Sequence, residues 1–256
     1  MSDQLTRAYA FLARGDMYGS RTEPSSVGTA VYLDELPKRL DANFLRAERG
    51  EPAEIEAEAK RLERRMIFLP DIELGERVAP VLEERGWHTN RVTVMAQQRE
   101  PEREGDLTLV TEVAEEDLRP ARAELNAGRP WGRPEVMAEL FAGKHLIGSL
   151  MEARFFAVEV DGQVVSYTDL YQDGPEAQIE DVGTLPEHRG RGYATAVVLA
   201  AIRAARERGA EFVFLVADRE DWPKELYGRL GFDELGYYVK LVNADRSQAS
   251  PESPSA

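Results

Sequence analysis

Gln178-Ile179-Glu180-Asp181-Val182-Gly183-Thr184-Leu185 is followed by Pro186-Glu187-His188-Arg189-Gly190-Arg191-Gly192, and then by a long run from Tyr193 to Arg208. The order reads as strand, basic loop, helix. Apolar residues recur at Val197, Val198, Ala201, Ile202 and Ala205, the spacing of one buried helical face, and Gly209 stops the run. A helix N-terminus leaves its first N–H groups without partners and carries partial positive charge, so an anion placed there meets several donors at once. Gly190 and Gly192 remove side chains that would block the approach. Arg189 and Arg191 add positive charge in a chain of net charge −15. Two glycines before a helix can also form no more than a turn; with the basic residues around them, the pattern predicts a phosphate site.

Two kinds of phosphate ligand fit that pattern. Gly190-Arg191-Gly192-Tyr193-Ala194-Thr195 partly matches the dinucleotide fingerprint, and Asp218, at the end of the next strand, falls where a ribose-binding acid would stand. That fingerprint, however, follows an apolar strand directly, whereas here Pro186-Glu187-His188-Arg189 intervenes. Gln178, Glu180 and Asp181 also make the preceding strand too polar for the centre of a doubly wound sheet. The dinucleotide reading is therefore second.

Arg189-x-x-Gly192-x-Ala194, after a strand and a proline, resembles the acyl-CoA loop of the GNAT superfamily of N-acetyltransferases. Leu226-Tyr227-x-x-Leu230-Gly231-Phe232 resembles the C-terminal signature of the same superfamily, and the apolar strand Phe212 to Ala217 lies between the two. The resemblance covers about Leu107 to Val242. It implies an α/β acyl-CoA N-acyltransferase fold with a mixed sheet, acetyl-CoA as donor, a primary amine on a small molecule or peptide as acceptor, and direct transfer without a metal.

The chain has 256 residues, 43% of them hydrophobic and 31% charged, which places it among globular proteins with room for a sizeable core. No apolar run approaches the ~20 residues of a membrane span. With Asp3 and only a short apolar patch at Ala8–Ala13, no secretory signal is expected. The chain contains no cysteine, which excludes disulfides and thiolate metal sites and fits a cytoplasmic setting. The acidic balance argues against nucleic acid as a partner and mildly favours a cationic acceptor. Three scattered histidines, His88, His145 and His188, form neither a metal cluster nor a triad, and His188 reads as an exposed loop residue. A homodimer is left open.

Residues 1–98 read as a unit of their own. A helix is expected over Leu5–Ala13, a strand over Gly28–Tyr32, and a helix opened by Pro52 and running to about Arg64. A strand at Met66–Asp71, a helix at Leu74–Arg85 closed by Gly86, and a strand at Val92–Ala96 complete the half. Ile67–Val94 repeats the order of Phe212–Val239: strand, acid (Asp71 or Asp218), helix, Gly-aromatic (Gly86-Trp87 or Gly231-Phe232), strand. With the glycines aligned, Leu82 stands where Tyr227 does, and no glycine-rich loop precedes Met66. The first half therefore reads as a degenerate GNAT-like copy without chemistry.

Residues 99–106 are the linker, and 107–243 the catalytic domain. That domain opens with a strand at Leu107–Val110, helices at Glu115–Ala127 and Glu135–Gly143, and a loop at Gly128–Pro134 whose Trp131 is a candidate pocket residue. Strands at Phe155–Val160 and Gln163–Leu170 follow, joined by an Asp161-Gly162 turn. Residues 244–256, rich in Ser, Ala and Pro, are expected to be disordered.

Transfer of an acetyl group to an amine needs an uncharged amine, a donor to the oxyanion and a proton for the thiolate. An alkylammonium has a pKa near ~10, so a base must take its proton. Glu180, on the strand just before the loop, is the candidate base. Strict alternation puts Asp181 on the opposite face, so that only one of the two meets the amine. The resemblance places the oxyanion donor in the backbone of Val182, Gly183 and Thr184, which also pairs with the pantetheine arm, and makes Tyr227 the general acid. It gives the pyrophosphate to the amides of Arg189, Gly190, Arg191, Gly192, Tyr193 and Ala194, with Thr195 adding a hydroxyl. An acyl-CoA sensor without turnover is the alternative from another class, and a dinucleotide oxidoreductase the third.

Overall fold

The apolar strands expected from the sequence enter one sheet. The computed structural model describes residues 3–16, 21–129, 132–220 and 223–243; Trp131 and the 244–256 tail lie outside the described residues. The strands are β1 (Arg21–Ser25), β2 (Gly28–Tyr32), β3 (Leu45–Ala47), β4 (Met66–Leu69), β5 (His88–Gln97), β6 (Val110–Val113), β7 (Glu152–Val160), β8 (Gln163–Asp173), β9 (Glu176–Thr184), β10 (Phe212–Asp218) and β11 (Phe232–Val242). The helices are α1 (Asp3–Asp16), α2 (Pro52–Arg61), α3 (Ile72–Glu83), α4 (Glu115–Asn126), α5 (Pro134–Gly148), α6 (Tyr193–Glu207) and α7 (Pro223–Arg229). Across the sheet the order is β1-β2-β3-β4-β11-β5-β10-β9-β8-β7-β6.

The middle of that order carries the main topological feature. β5 ends the first hundred residues, yet its partners are β10 and β11; β11 ends the second half, yet it pairs with β4 as well as β5, all antiparallel. Outward from this central pair come β4 and β10, then β3 and β9, joined to them by parallel ladders. α2 connects β3 to β4 as α6 connects β9 to β10, and α3 connects β4 to β5 as α7 connects β10 to β11. The two halves have thus exchanged their last strands. The 1–98 and 107–243 segments are divisions of the sequence that ladders bridge in space. The linker is also tied down: Gln98 and Arg99 donate N–H to Gly231 O at 2.9 and 3.1 Å. A side chain at Gly231, with φ +88°, would strike Arg99 O, so this position admits glycine alone.

Period-two alternation sorts the core. Val213 and Leu215 face α6 and α7, and Ile67, Leu69, Val239 and Leu241 face α2 and α3, on the same side of the sheet. Phe214, Phe68, Val94 and Tyr238 face the other side, under α1 and the end of α5. Fully burying a side chain of this size stabilises by about 1.5–3 kcal/mol.

Local departures from expectation have local causes. Leu107–Leu109 is a 3-10 turn, because the Asp106 side chain accepts from Thr108 N at 3.0 Å and turns the chain; the strand begins at Val110. α5 runs on to Gly148, its end packing on the first half through Leu146 and Ile147. Asp161 and Gly162 both take positive φ, +52° and +78°, as a two-residue hairpin turn demands.

Candidate active site

β9 and β10 pair in parallel from Glu176–Phe212 to Ile179–Leu215, and there the pairing stops although both strands continue. A cavity of about 230 Å³ opens beyond the last pair, lined by Glu180, Asp181, Val182, Ala217, Asp218 and Tyr227 among others. The two residues assigned to base and acid therefore share one cleft.

The strand bends where it leaves β10. Toward β8 the register runs Tyr167 opposite Gly183 and Asp169 opposite Glu180, so Thr168 faces two residues, Asp181 and Val182. Asp181 sits at φ +53°. This bulge corrects the strict alternation expected for the strand: Glu180 and Asp181 both line the cleft. The Asp181 carboxylate is already engaged, by Arg122 Nε at 2.9 Å and Lys144 Nζ at 3.0 Å. Thr168 Oγ1 donates to Glu180 O at 3.0 Å and fixes the near side of the bulge. Gly183 is required by contact, since a Cβ there would lie 2.6 Å from the Tyr167 ring.

Thr184 leads through a 3-10 turn at Pro186–His188 to the glycine loop. Gly190 and Gly192 stand at φ +72° and +82°, with nothing within 4 Å of where a Cβ would be. Gly192 is the N-cap of α6 and supplies no side-chain acceptor. Ala196 N, the first in-helix donor, bonds Gly192 O at 3.0 Å, so the amides of Tyr193, Ala194 and Thr195 precede the helical ladder. Arg189 Nε and Arg191 Nη2 donate to Thr184 O and Glu187 O at 3.3 and 3.2 Å, which folds the loop over itself and keeps both charges at the helix entrance. Thr195 is buried. His188 is half-buried rather than exposed, and its Nδ1 has no hydrogen-bond partner. This open N-terminus and its two arginines have the charge and shape to hold a pyrophosphate.

Tyr227, 7% exposed, reaches the cleft from α7 and packs edge-on against Phe232, ring centroids 6.2 Å apart. One cluster escaped the sequence reading. Arg122 of α4, Lys144 of α5, and Asp169 and Tyr171 of β8 meet Asp181 beneath the bulge. Burial pushes the Asp169 carboxyl up to about 6, against the pull of Lys144 and Arg122. Burial works against the Lys144 charge, yet Asp169 and Asp181 hold its pKa well above the ordinary lysine value. The available signal was Asp169 itself, a lone carboxylate in the run Val164-Val165-Ser166-Tyr167-Thr168-Asp169-Leu170-Tyr171. Among the described residues no group of three or more His, Cys, Asp or Glu could hold a metal ion, and no helix is long and apolar enough to cross a membrane.

Comparison with known proteins agrees with this geometry. The family model described as Acetyltransferase (GNAT) family matches residues 118–232. An uncharacterized N-acetyltransferase of Methanocaldococcus jannaschii is 34% identical over 91 residues, 32% of this chain, which spans 40% of that relative's length. A solved GCN5-related N-acetyltransferase from Kribbella flavida superposes with TM-score 0.59 at 20% identity, over 94% of this chain and 96% of its own. A tandem GNAT protein from the clavulanic acid biosynthesis pathway superposes with TM-score 0.54 at 15% identity, over 88% and 83%. Residues 118–232, with the splayed strands, the glycine loop and the Tyr227 helix, match the acetyltransferase (GNAT) family model, in a chain that follows the fold of such proteins over nearly its whole length.

Proposed function

We propose that this chain moves an acetyl group from acetyl-CoA to a primary amine. The observation that carries the reading is the convergence of Glu180, Val182 and Tyr227 on the one cleft where β9 and β10 part. The uncapped N-terminus of α6 follows β9 directly in the chain, where the amides of 189–194 would hold the pyrophosphate. Glu180 takes a proton from the ammonium, directly or through water. The amine nitrogen then bonds the acetyl carbon. Backbone N–H groups of Val182–Thr184 stabilise the oxyanion, a class of interaction worth about 10²–10³ in rate. The carbon–sulfur bond breaks, Tyr227 gives its proton to the departing thiolate, and the remaining extra proton on nitrogen leaves through water to restore the phenol. The acceptor class we favour is a cationic amine, small or peptidic, because the cleft holds the carboxylates of Glu180 and Asp218, neither in a salt bridge among the described residues.

We further read the first half as a copy of the same unit that carries no chemistry: its order of strands and helices repeats, and Leu82 stands in place of Tyr227. The test of the main reading is a thermal shift with acetyl-CoA, CoA and NAD, followed by thiol release in the presence of amines. Ligand at a hundred times its Kd adds about 2.7 kcal/mol, a shift of a few degrees. A shift with both CoA species and none with NAD, then thiol release with an amine, is the expected result. A shift without thiol release from any amine supports an acyl-CoA sensor instead, and no shift with either CoA species sinks the site.

A further inference from the structure

The buried charge cluster under the cleft has no part in the chemistry just described. Arg122, 2% exposed, donates Nη1 to Glu115 Oε1 at 2.8 Å, Nε to Asp181 Oδ2 at 2.9 Å and Nη2 to Asp169. Lys144, 14% exposed, sets Nζ 2.7 Å from Asp169 Oδ2 and 3.0 Å from Asp181 Oδ2. Tyr171 donates its hydroxyl to Asp169 Oδ2 at 3.0 Å. Two cations from two helices and two carboxylates from two strands thus close a ring. Buried ion pairs contribute little net stability, because desolvation offsets their attraction, and apolar replacements of the same volume often fold as well or better. What such a ring fixes is geometry.

The geometry at stake is the bend of β9. Asp181 holds a left-handed φ of +53°, a conformation disfavoured for a non-glycine residue by the clash of its Cβ with the following carbonyl. Both cations grip its one carboxylate oxygen, Oδ2. Asp181 lies between Glu180, the base, and Val182, the first oxyanion donor, so its turn sets the aim of both. Lys144 brings α5 into the same arrangement, and α5 is further tied to the first half where Lys38 N donates to Glu139 Oε2 at 2.7 Å.

We propose that Arg122 and Lys144, acting through Asp181, are positioning residues that hold β9 bent between Glu180 and Gly183; their effect on turnover rests on the acetyl-transfer reading above. The test uses the full chain with Lys144→Met, Lys144→Arg and Asp181→Gly, the last removing the carboxylate while tolerating positive φ. Hydrogen exchange of the peptide spanning 178–186 is compared with that of the β5–β11 pair. We expect Lys144→Met and Asp181→Gly to speed exchange at 180–184 at least tenfold, with β5 and β11 unchanged and Lys144→Arg close to the parent. We expect kcat for thiol release with a panel of polyamines and lysine peptides to fall at least tenfold, with the acetyl-CoA KM within twofold. Unchanged exchange at 180–184, or a uniform rise across the sheet, overturns the proposal, as does an unchanged kcat. Should Lys144→Met not fold, Asp181→Gly against Lys144→Arg decides alone. A parent chain that neither binds acetyl-CoA nor releases thiol defeats the acetyl-transfer reading, while the exchange comparison still decides the latch.

Discussion

α2 and α6 begin at matching places in the two halves, each after the outer strand of a parallel pair, and their N-termini are finished in opposite ways. At α2 the Glu54 carboxylate accepts from Glu51 N at 2.9 Å, Pro52 at the first position has no N–H, and Glu54 N bonds back to Glu51 O at 3.0 Å, with the two glutamates standing over the helix end. At α6 the cap is Gly192, with no side chain, and arginines stand at the entrance. One terminus is closed by its own backbone, a proline and two carboxylates that repel any further anion. The other leaves its first donors without a side-chain cap. Strand order and helix placement do not distinguish the two halves; the capping chemistry of one helix does.

The comparison breaks most readily at the open cap. Gly192→Glu gives α6 the carboxylate that α2 has, and we expect acetyl-CoA affinity to fall more than a hundredfold by calorimetry; unchanged affinity would falsify the phosphate assignment. Tyr227→Phe makes the C-terminal helix resemble α3, where Leu82 occupies the same place. Thiol release should slow by about 10²-fold, the lower range for general acid catalysis, with acetyl-CoA affinity within twofold; an equal loss in both would assign Tyr227 to binding. Glu54→Ala opens the closed cap. It should cost about 1 kcal/mol, a few degrees in Tm, as for loss of other caps, and leave acetyl-CoA affinity untouched; any change in that affinity would deny that the first half is silent.

The smallest effect concerns pH. Asp169, with its pKa raised by burial to about 6, contributes stability at low pH that is lost as pH rises through about 6. Asp181 is pushed up by burial but pulled below its ordinary value by Lys144 and Arg122, so its contribution is present above the ordinary carboxylate range and lost on acidification. Asp181 therefore acts below about pH 4 and Asp169 between about pH 4 and 6, and Asp169→Asn, which removes the contribution that falls with pH, should make Tm fall less or rise more across about pH 4–6; an unchanged or steeper fall would reverse the assignment.

What the sequence disclosed was local. The α6 face, the glycine loop and the Asp161-Gly162 turn are written in neighbouring residues, and each has its expected form. β1 escaped because Arg21-Thr22-Glu23-Pro24-Ser25 is an almost wholly exposed edge without an apolar side chain, and β3 because three residues show no period. The exchange of β5 and β11 was invisible for a different reason: alternation tells which face a strand buries, never which strand lies beside it. The same holds for the latch. Arg122 and Lys144 look like ordinary helix charges until tertiary contact sets them on Asp169 and Asp181. The bulge at Asp181 defeated the alternation rule at the position next to the proposed base, Glu180.

The exchanged strands also impose an order in time. When synthesis has delivered only the first hundred residues, β5 is complete but every ladder it will make belongs to chain not yet built. Its ten residues must wait, both edges unpaired, until Asp218 has emerged, and one edge until Val242 has. Pairing across such sequence separation is slow and leaves strand edges open to wrong neighbours. The same symmetry offers one: a second newborn copy could lend its own β11 to the waiting β5, so the interlock that unites the two halves makes crowded refolding the condition under which this chain is most prone to entangle with itself.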